Sequence, residues 1–399
     1  MSDSTNTSFS VAETNGDGGV RAFVWVSILL TLPLLLLGTL ITSFRVGMVD
    51  PIWPTEPWYL IIDPSRADTT PLWKEDRPGY LIEHVHRVFG YLVGFAILAQ
   101  TVVFGLKSRA MGVWIIGIAG VIVGTVLAMG SIDRKLALSD PLGAVQPGIL
   151  RAGIGVILAG IGAIGVALVI EFREKGVRRF LMAVGAIVFL GVITQGLLGG
   201  LRVYLNAIGG TQLASIHGAL GQIVFSMLTG LLAILTLQKN APPALETPKA
   251  RRSVIIWAHG LLALCLMQLA WAVWLRHFHH PIAQRLHLFF GCLIPAFIIG
   301  VHLKSLQYRA IFRWFGPASG MLFLLVLIQV LLGIEAWLGK FGTNKPLIEA
   351  ATTIGQAAIR STHAMVGAFV LAGALVLSLR ASWIPKLPVG IDSNPQAGG

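Results

Sequence analysis

Apolar runs of roughly 18 to 25 residues recur along the chain, each long enough to cross about 30 Å of hydrocarbon as a helix. No water is present in lipid to hydrogen-bond an open backbone, so such runs can only be α-helices. Ten are recognisable, at approximately 22–42, 83–106, 112–129, 149–170, 180–200, 211–237, 253–275, 283–303, 315–338 and 357–380. The expected fold class is therefore all-α, a polytopic transmembrane helical bundle of about ten spans. Composition agrees: charged residues make up only 12% of the chain, about half the share usual in soluble domains.

The net charge of +12 does not indicate a nucleic-acid partner, because the basic residues form no stripe. They crowd into alternate short loops, 107–111, 171–179, 238–252 and 304–314. The other connectors, 130–148, 201–210, 276–282 and 339–356, hold few. Positive charge favours the cytoplasmic side, which predicts both termini inside, in a bacterial cell membrane. Residues 1–21 and 381–399 read as cytoplasmic tails. Cys265 and Cys292 both fall inside apolar runs and form no CxxC pattern, so they read as small buried hydrophobes.

A repeat organises the spans. Gln195-Gly-Leu-Leu-Gly in the fifth is matched by Gln329-Val-Leu-Leu-Gly in the ninth, and each precedes a helix bearing Ser215-Ile216-His217 or Ser361-Thr362-His363. Spans one, two, five and six thus correspond to seven through ten in the same orientation. The expectation is two pseudo-repeated four-helix halves, 22–106 with 180–238 and 253–380, plus an inserted transmembrane hairpin over 107–179. The long first outer loop, 43–82, carries Trp53, Trp58, Tyr59 and Trp73, suited to the headgroup level or to capping a pocket on that face.

Four of the ten histidines occupy equivalent places. His86, His217, His287 and His363 each lie near the start of a span running from outside to inside, two per half. Ionisable side chains inside spans are costly and mark function. Two imidazoles facing each other across a bundle can ligate heme iron axially. His84 falls about 200° around the helix from His86 and reads as structural. His277, His279 and His280 are expected in a loop. His259 and His302 lie nearer the inner face, where a further metal or heme pair is the alternative to a structural role.

Neighbouring charges sharpen the pattern. Glu83, His86 and Arg87 share one helix face. Glu83 suits either a proton acceptor beside an iron ligand or an acid at a helix start paired with Arg87. Arg360, one turn before His363, and Arg285, two residues before His287, suit either propionate binding or interfacial snorkelling. Arg202 is a weaker candidate of the same kind.

Glu83-His84-Val85-His86-Arg87 resembles the ExxHR motif of the heme A synthase family. Gln195 to Arg202 with Ile216-His217-Gly218, Arg285-Leu286-His287, and Arg360-Ser361-Thr362-His363 are similar to its further segments, in the same order. The resemblance covers roughly 22–106 and 180–380. It implies oxidation of the C8 methyl of heme O to the formyl of heme A, through two hydroxylations and loss of water from a geminal diol. It further implies substrate heme O at His86 and His217 with Arg87, and Glu83 as the catalytic carboxylate. A prosthetic heme b would sit at His287 and His363 with Arg360 and Arg285. The partners implied are membrane lipid, an electron donor of unstated identity and the heme O synthase; an oligomer is compatible with it. The chain departs from the family in having ten spans rather than eight and in lacking a cysteine pair in the first outer loop. Two other classes fit the same residues: a diheme membrane cytochrome b, which needs no carboxylate beside a ligand, and a proton-relaying transporter, which needs no heme.

Overall fold

The computed structural model describes residues 17–47, 58–68, 71–133, 140, 143–174, 178–204, 206–237, 245, 247–341 and 353–385. Among them lie α1 (Asp17–Phe44), α2 (Tyr59–Ile62), α3 (Ser65–Asp68), α4 (Pro71–Glu75), α5 (Arg77–Gly105), α6 (Met111–Gly130) and α7 (Pro147–Phe172). They continue as α8 (Arg178–Tyr204), α9 (Asn206–Leu237), α10 (Pro248–Phe278), α11 (Pro281–Gln307), α12 (Arg309–Phe341) and α13 (Ile354–Trp383). Ten of these are long and apolar enough to cross a membrane. The chain is an all-α, multi-pass membrane protein.

Helix packing follows the repeat. In one half α1 packs on α5, α5 on α8, α8 on α9, and α9 back on α1. In the other, α10, α11, α12 and α13 close an identical ring. Contacts of α9 with α13, α1 with α13, and α10 with α9 join the halves. Exchanging the halves maps this set onto itself, as a two-fold relation requires. Val93, Ile97, Phe189, Phe225 and Leu228 fill the first core, and Val254, Leu261, Ile298, Phe315 and Leu377 the second.

The helices run beyond the apolar runs that announce them. α5 begins at Arg77, where Asp76 accepts from the Gly79 amide, and Thr247 and Thr353 cap α10 and α13 in the same way. The expected loop 276–282 shrinks to two residues. Arg276 and His277 complete the last turn of α10, His279 turns left-handed at φ 54°, and the His280 ring accepts from the Ile282 amide to start α11. Cys292 is also corrected: it is exposed on a helix face, whereas Cys265 is buried.

The hairpin α6–α7 stands outside both rings, against α5 and α8. Gly117, Gly120 and Gly124 meet Gly153 and Gly160, so the two backbones touch. A Cβ at Gly160 would lie 2.6 Å from the Val121 amide nitrogen. Trp114 locks the hairpin to α5 by donating to the Thr101 carbonyl at 2.9 Å, in a slot opened by Gly105. Gly160→Val is expected to destabilise the protein by roughly 1–3 kcal/mol through overpacking. Gly162→Val, where an added Cβ meets nothing within 4 Å, is expected to change stability little. Thermal unfolding of both variants in one detergent checks this.

Candidate functional site

The two halves place their histidines identically. The His86 ring on α5 faces His217 on α9, with centroids 6.4 Å apart and planes at 75°. His287 on α11 faces His363 on α13 at 6.2 Å and 78°. All four rings are half-buried.

Each ring is set by the adjoining helix. His86 Nδ1 lies 3.0 Å from the Leu34 carbonyl on α1, and four residues on, a Cβ at Gly38 would stand 3.1 Å from the ring. His217 faces the Gln195 backbone of α8, with Gly199 at the matching position, 3.6 Å from the ring by the same measure. His363 faces the Gln329 backbone of α12, with Gly333 at 2.9 Å. His287 faces the Gln268 backbone of α10, where the residue four later is Ala272. In these last three the Nδ1 atom is buried without a hydrogen bond in good geometry. A small residue one turn past the facing carbonyl thus lets an imidazole lie against the next helix. With Nδ1 toward that backbone, Nε2 keeps the lone pair that ligates.

The glutamine side chains also meet the histidine helices. Gln195 Nε2 donates to the His217 carbonyl at 2.8 Å and Gln268 Nε2 to the His287 carbonyl at 3.0 Å, while Gln329 Nε2 lies 3.5 Å from His363 Nε2. Gln195 and Gln329 are visible in the sequence as markers of the repeat, though not as supports. Gln268 sits in an unrelated stretch of sequence and carries no such mark.

The spacing has a chemical meaning. Two metal–nitrogen bonds of roughly 2 Å, with the distance from nitrogen to ring centre in two imidazoles, separate the centroids by about 6.4 Å for trans ligation of one metal. No cluster of three or more His, Cys, Asp or Glu suited to a bare ion exists among the described residues. Two nitrogens in trans suit a metal whose remaining ligands come with it, as in a porphyrin.

Around this symmetric frame the pairs differ. Glu83, one turn before His86, is 6% exposed, and Arg87 Nη2 donates to its Oε1 at 2.9 Å. The matching position before His287 is Gln284, so one pair has a carboxylate at its side and the other an amide. Arg202, at the end of α8, is within electrostatic reach of Glu83, His86 and His217. Short helices also form a roof against the start of α5, on its His84 side rather than its His86 side. Tyr59, Ala67 and Tyr80 form a small core with Leu60 and Trp73, the Tyr59 and Tyr80 hydroxyls are hydrogen-bonded, and Tyr59 meets the buried His84 ring edge-on at 4.9 Å. Trp53 lies outside the described residues. The second half has the two-residue link His279–His280 in place of this roof.

Other residues fall as follows. Arg360 is half-buried, one turn before His363, whereas Arg285 is exposed, about 200° around α11 from His287, and is not brought to the pair. His302 is bonded to Ser319 at 2.9 Å, and His259 approaches Ser382 at 3.3 Å, so each has a serine for a neighbour. Arg276 and His277 turn inward at the seam between the halves, contrary to the loop expected for them.

No protein-family model matches the chain, and no curated protein matches it.

Glu83 and Arg87 are 8% and 11% exposed at the side chain. Arg87→Met leaves a buried carboxylate without this cation and is expected to cost roughly 3–5 kcal/mol. Adding Glu83→Gln is expected to restore most of it. A double-mutant cycle on unfolding in one detergent reads both.

Proposed function

We propose that the chain is a heme A synthase, a membrane oxidoreductase that converts the C8 methyl of heme O to the formyl of heme A. The observation that carries this reading is the unequal surroundings of two equal histidine pairs. Both have the spacing for trans ligation, and only the His86–His217 pair has a buried carboxylate one turn away. A pair serving electron transfer alone needs no such group. Methyl oxidation moves protons as well as electrons, so it calls for a side chain that can hold a proton at the reacting carbon.

In this reading His86 and His217 hold substrate heme O, and Glu83 takes and returns the proton. Arg87 keeps the Glu83 carboxylate oriented through their 2.9 Å ion pair. His287 and His363 hold heme b, which when bound supplies one-electron transfer. The bias of Lys and Arg toward alternate loops supports an orientation with both ends inside, so the histidine end faces outward, and the heme A synthase reading carries with it a bacterial cell membrane. The oxidation needs either an electron acceptor or dioxygen together with an electron donor, and a heme O synthase to supply the substrate.

Expression with a heme O synthase, followed by chromatography and mass analysis of extracted hemes, tests the reading. Heme A or its hydroxylated precursor is expected from the intact chain. Only hemes B and O, with a bis-histidine spectrum, would point to a diheme cytochrome, and no bound heme would point away from both. Glu83→Gln is expected to lower conversion by about 100-fold or more, the range for losing a proton-transfer group, with heme still bound. Gly333→Val crowds the His363 ring and is expected to remove the heme of that pair alone, halving heme per protein.

A further inference from the structure

The last turn of α10 belongs to the second half but makes its polar contacts in the first. Arg276 Nη2 donates to the Thr39 carbonyl of α1 at 2.8 Å and lies 3.2 Å from the Ser43 hydroxyl. Ser43 is itself 3.2 Å from the hydroxyl of Ser361, two residues before His363. His277, the next residue, lies against α9 beside His217, since a Cβ at Gly218 would be 3.9 Å from its Nε2. One turn of helix therefore reaches the neighbourhood of both pairs, touching Gly218 beside His217 and, through Ser43, Ser361 beside His363.

Cations converge on this turn. Arg276 is within electrostatic reach of both Arg360 and His363, and Arg276 and Arg202 are both within reach of His277. The acceptors around Arg276 are a carbonyl and a hydroxyl, both neutral. Arg202 Nε is buried without a partner. Neither guanidinium is in an ion pair within the described residues. Withdrawing cations from water is costly unless an anion joins them. The Arg276 bonds use one Nη, leaving the N–H groups of Nε and the other Nη, a fork for one carboxylate and a single donor for a second.

We propose that Arg276, flanked by Arg202 and Arg360, forms one carboxylate-binding site shared by the two histidine pairs, taking a propionate from the heme of each half. This rests on the heme reading above. The shared guanidinium positions both groups and binds their electrostatics together: a cation near either iron disfavours its oxidised form, and its removal lowers both potentials.

The test is a redox titration, with heme counted per protein, of wild type, Arg276→Gln and Arg276→Lys in the full chain. Arg276→Gln is expected to lower the midpoint potentials of both hemes. Arg276→Lys keeps the charge without the planar fork, and is expected to hold both potentials near wild type while losing heme faster on dilution. The inference is overturned if wild type binds two hemes and Arg276→Gln shifts neither potential, or shifts only one. Wild type with no heme would instead overturn the functional reading on which the inference stands.

Discussion

An imidazole can lie close against a neighbouring helix where that helix carries little or no side chain, and the histidine end of this protein makes that trade with glycine three times and with Ala272 once. The backbone of a spanning helix is already hydrogen-bonded to itself, so a ring that reaches it finds carbonyls committed within their own turn. What the ring gains is a fixed position and a preferred tautomer. Gly38, Gly199 and Gly333 leave the room, and the carbonyl one turn earlier faces the Nδ1 side of each ring. The gap is tightest at Gly333, where an added Cβ would stand 2.9 Å from the His363 ring and something would have to shift.

Because the scaffold is duplicated, differences between the halves are more informative than either half alone. The same helix position carries Glu83 in one and Gln284 in the other. The same connection is a roof of three short helices in one and two residues in the other. A frame built twice around a histidine pair has thus been given two environments, one with a buried carboxylate a turn away, the other with an amide. Where the halves meet, the pattern inverts: α10 sends Arg276 and His277 into its partner half, whereas the end of α1 meets α13 through Ser43 and Ser361. The positive charge at the seam comes from both sides, Arg276 from the second half and Arg202 from the first.

Most of the frame was legible in the sequence. Hydropathy reports the cost of placing a segment in lipid, so ten spans and their order were visible, and the repeat followed from two glutamine–glycine segments and four histidines of equal depth. Hydropathy does not report where a helix ends. α10 continues through Arg276 and His277 because their polar atoms are received by the other half, a long-range fact that no local window contains. Face is equally invisible to depth: Arg285 and His287 share a level on α11 yet point about 200° apart, and only angular bookkeeping separates them. Gln268 escaped for a third reason, since its segment bears no resemblance to those holding Gln195 and Gln329 although its amide does for His287 what Gln195 does for His217.

The inserted hairpin shows why ten spans can carry a site built by eight. In the second half, α11 passes to α12 through the single residue Tyr308; in the first, the equivalent passage from α5 to α8 detours through α6 and α7. Both joints of the detour lie at the end of α5 away from His86, so neither ring is opened and no ligand helix is displaced. Ser108 at the first joint donates to the buried Glu171 carboxylate near the second at 2.6 Å, tying the detour shut. The hairpin returns to the histidine end once, where the Met129 methyl would stand 2.9 Å from a Cβ at Gly200. Gly199, next to it, receives the His217 ring. An insertion that leaves the ring of helices intact can therefore still bear on one ligand, by backing the stretch of α8 against which that ligand rests.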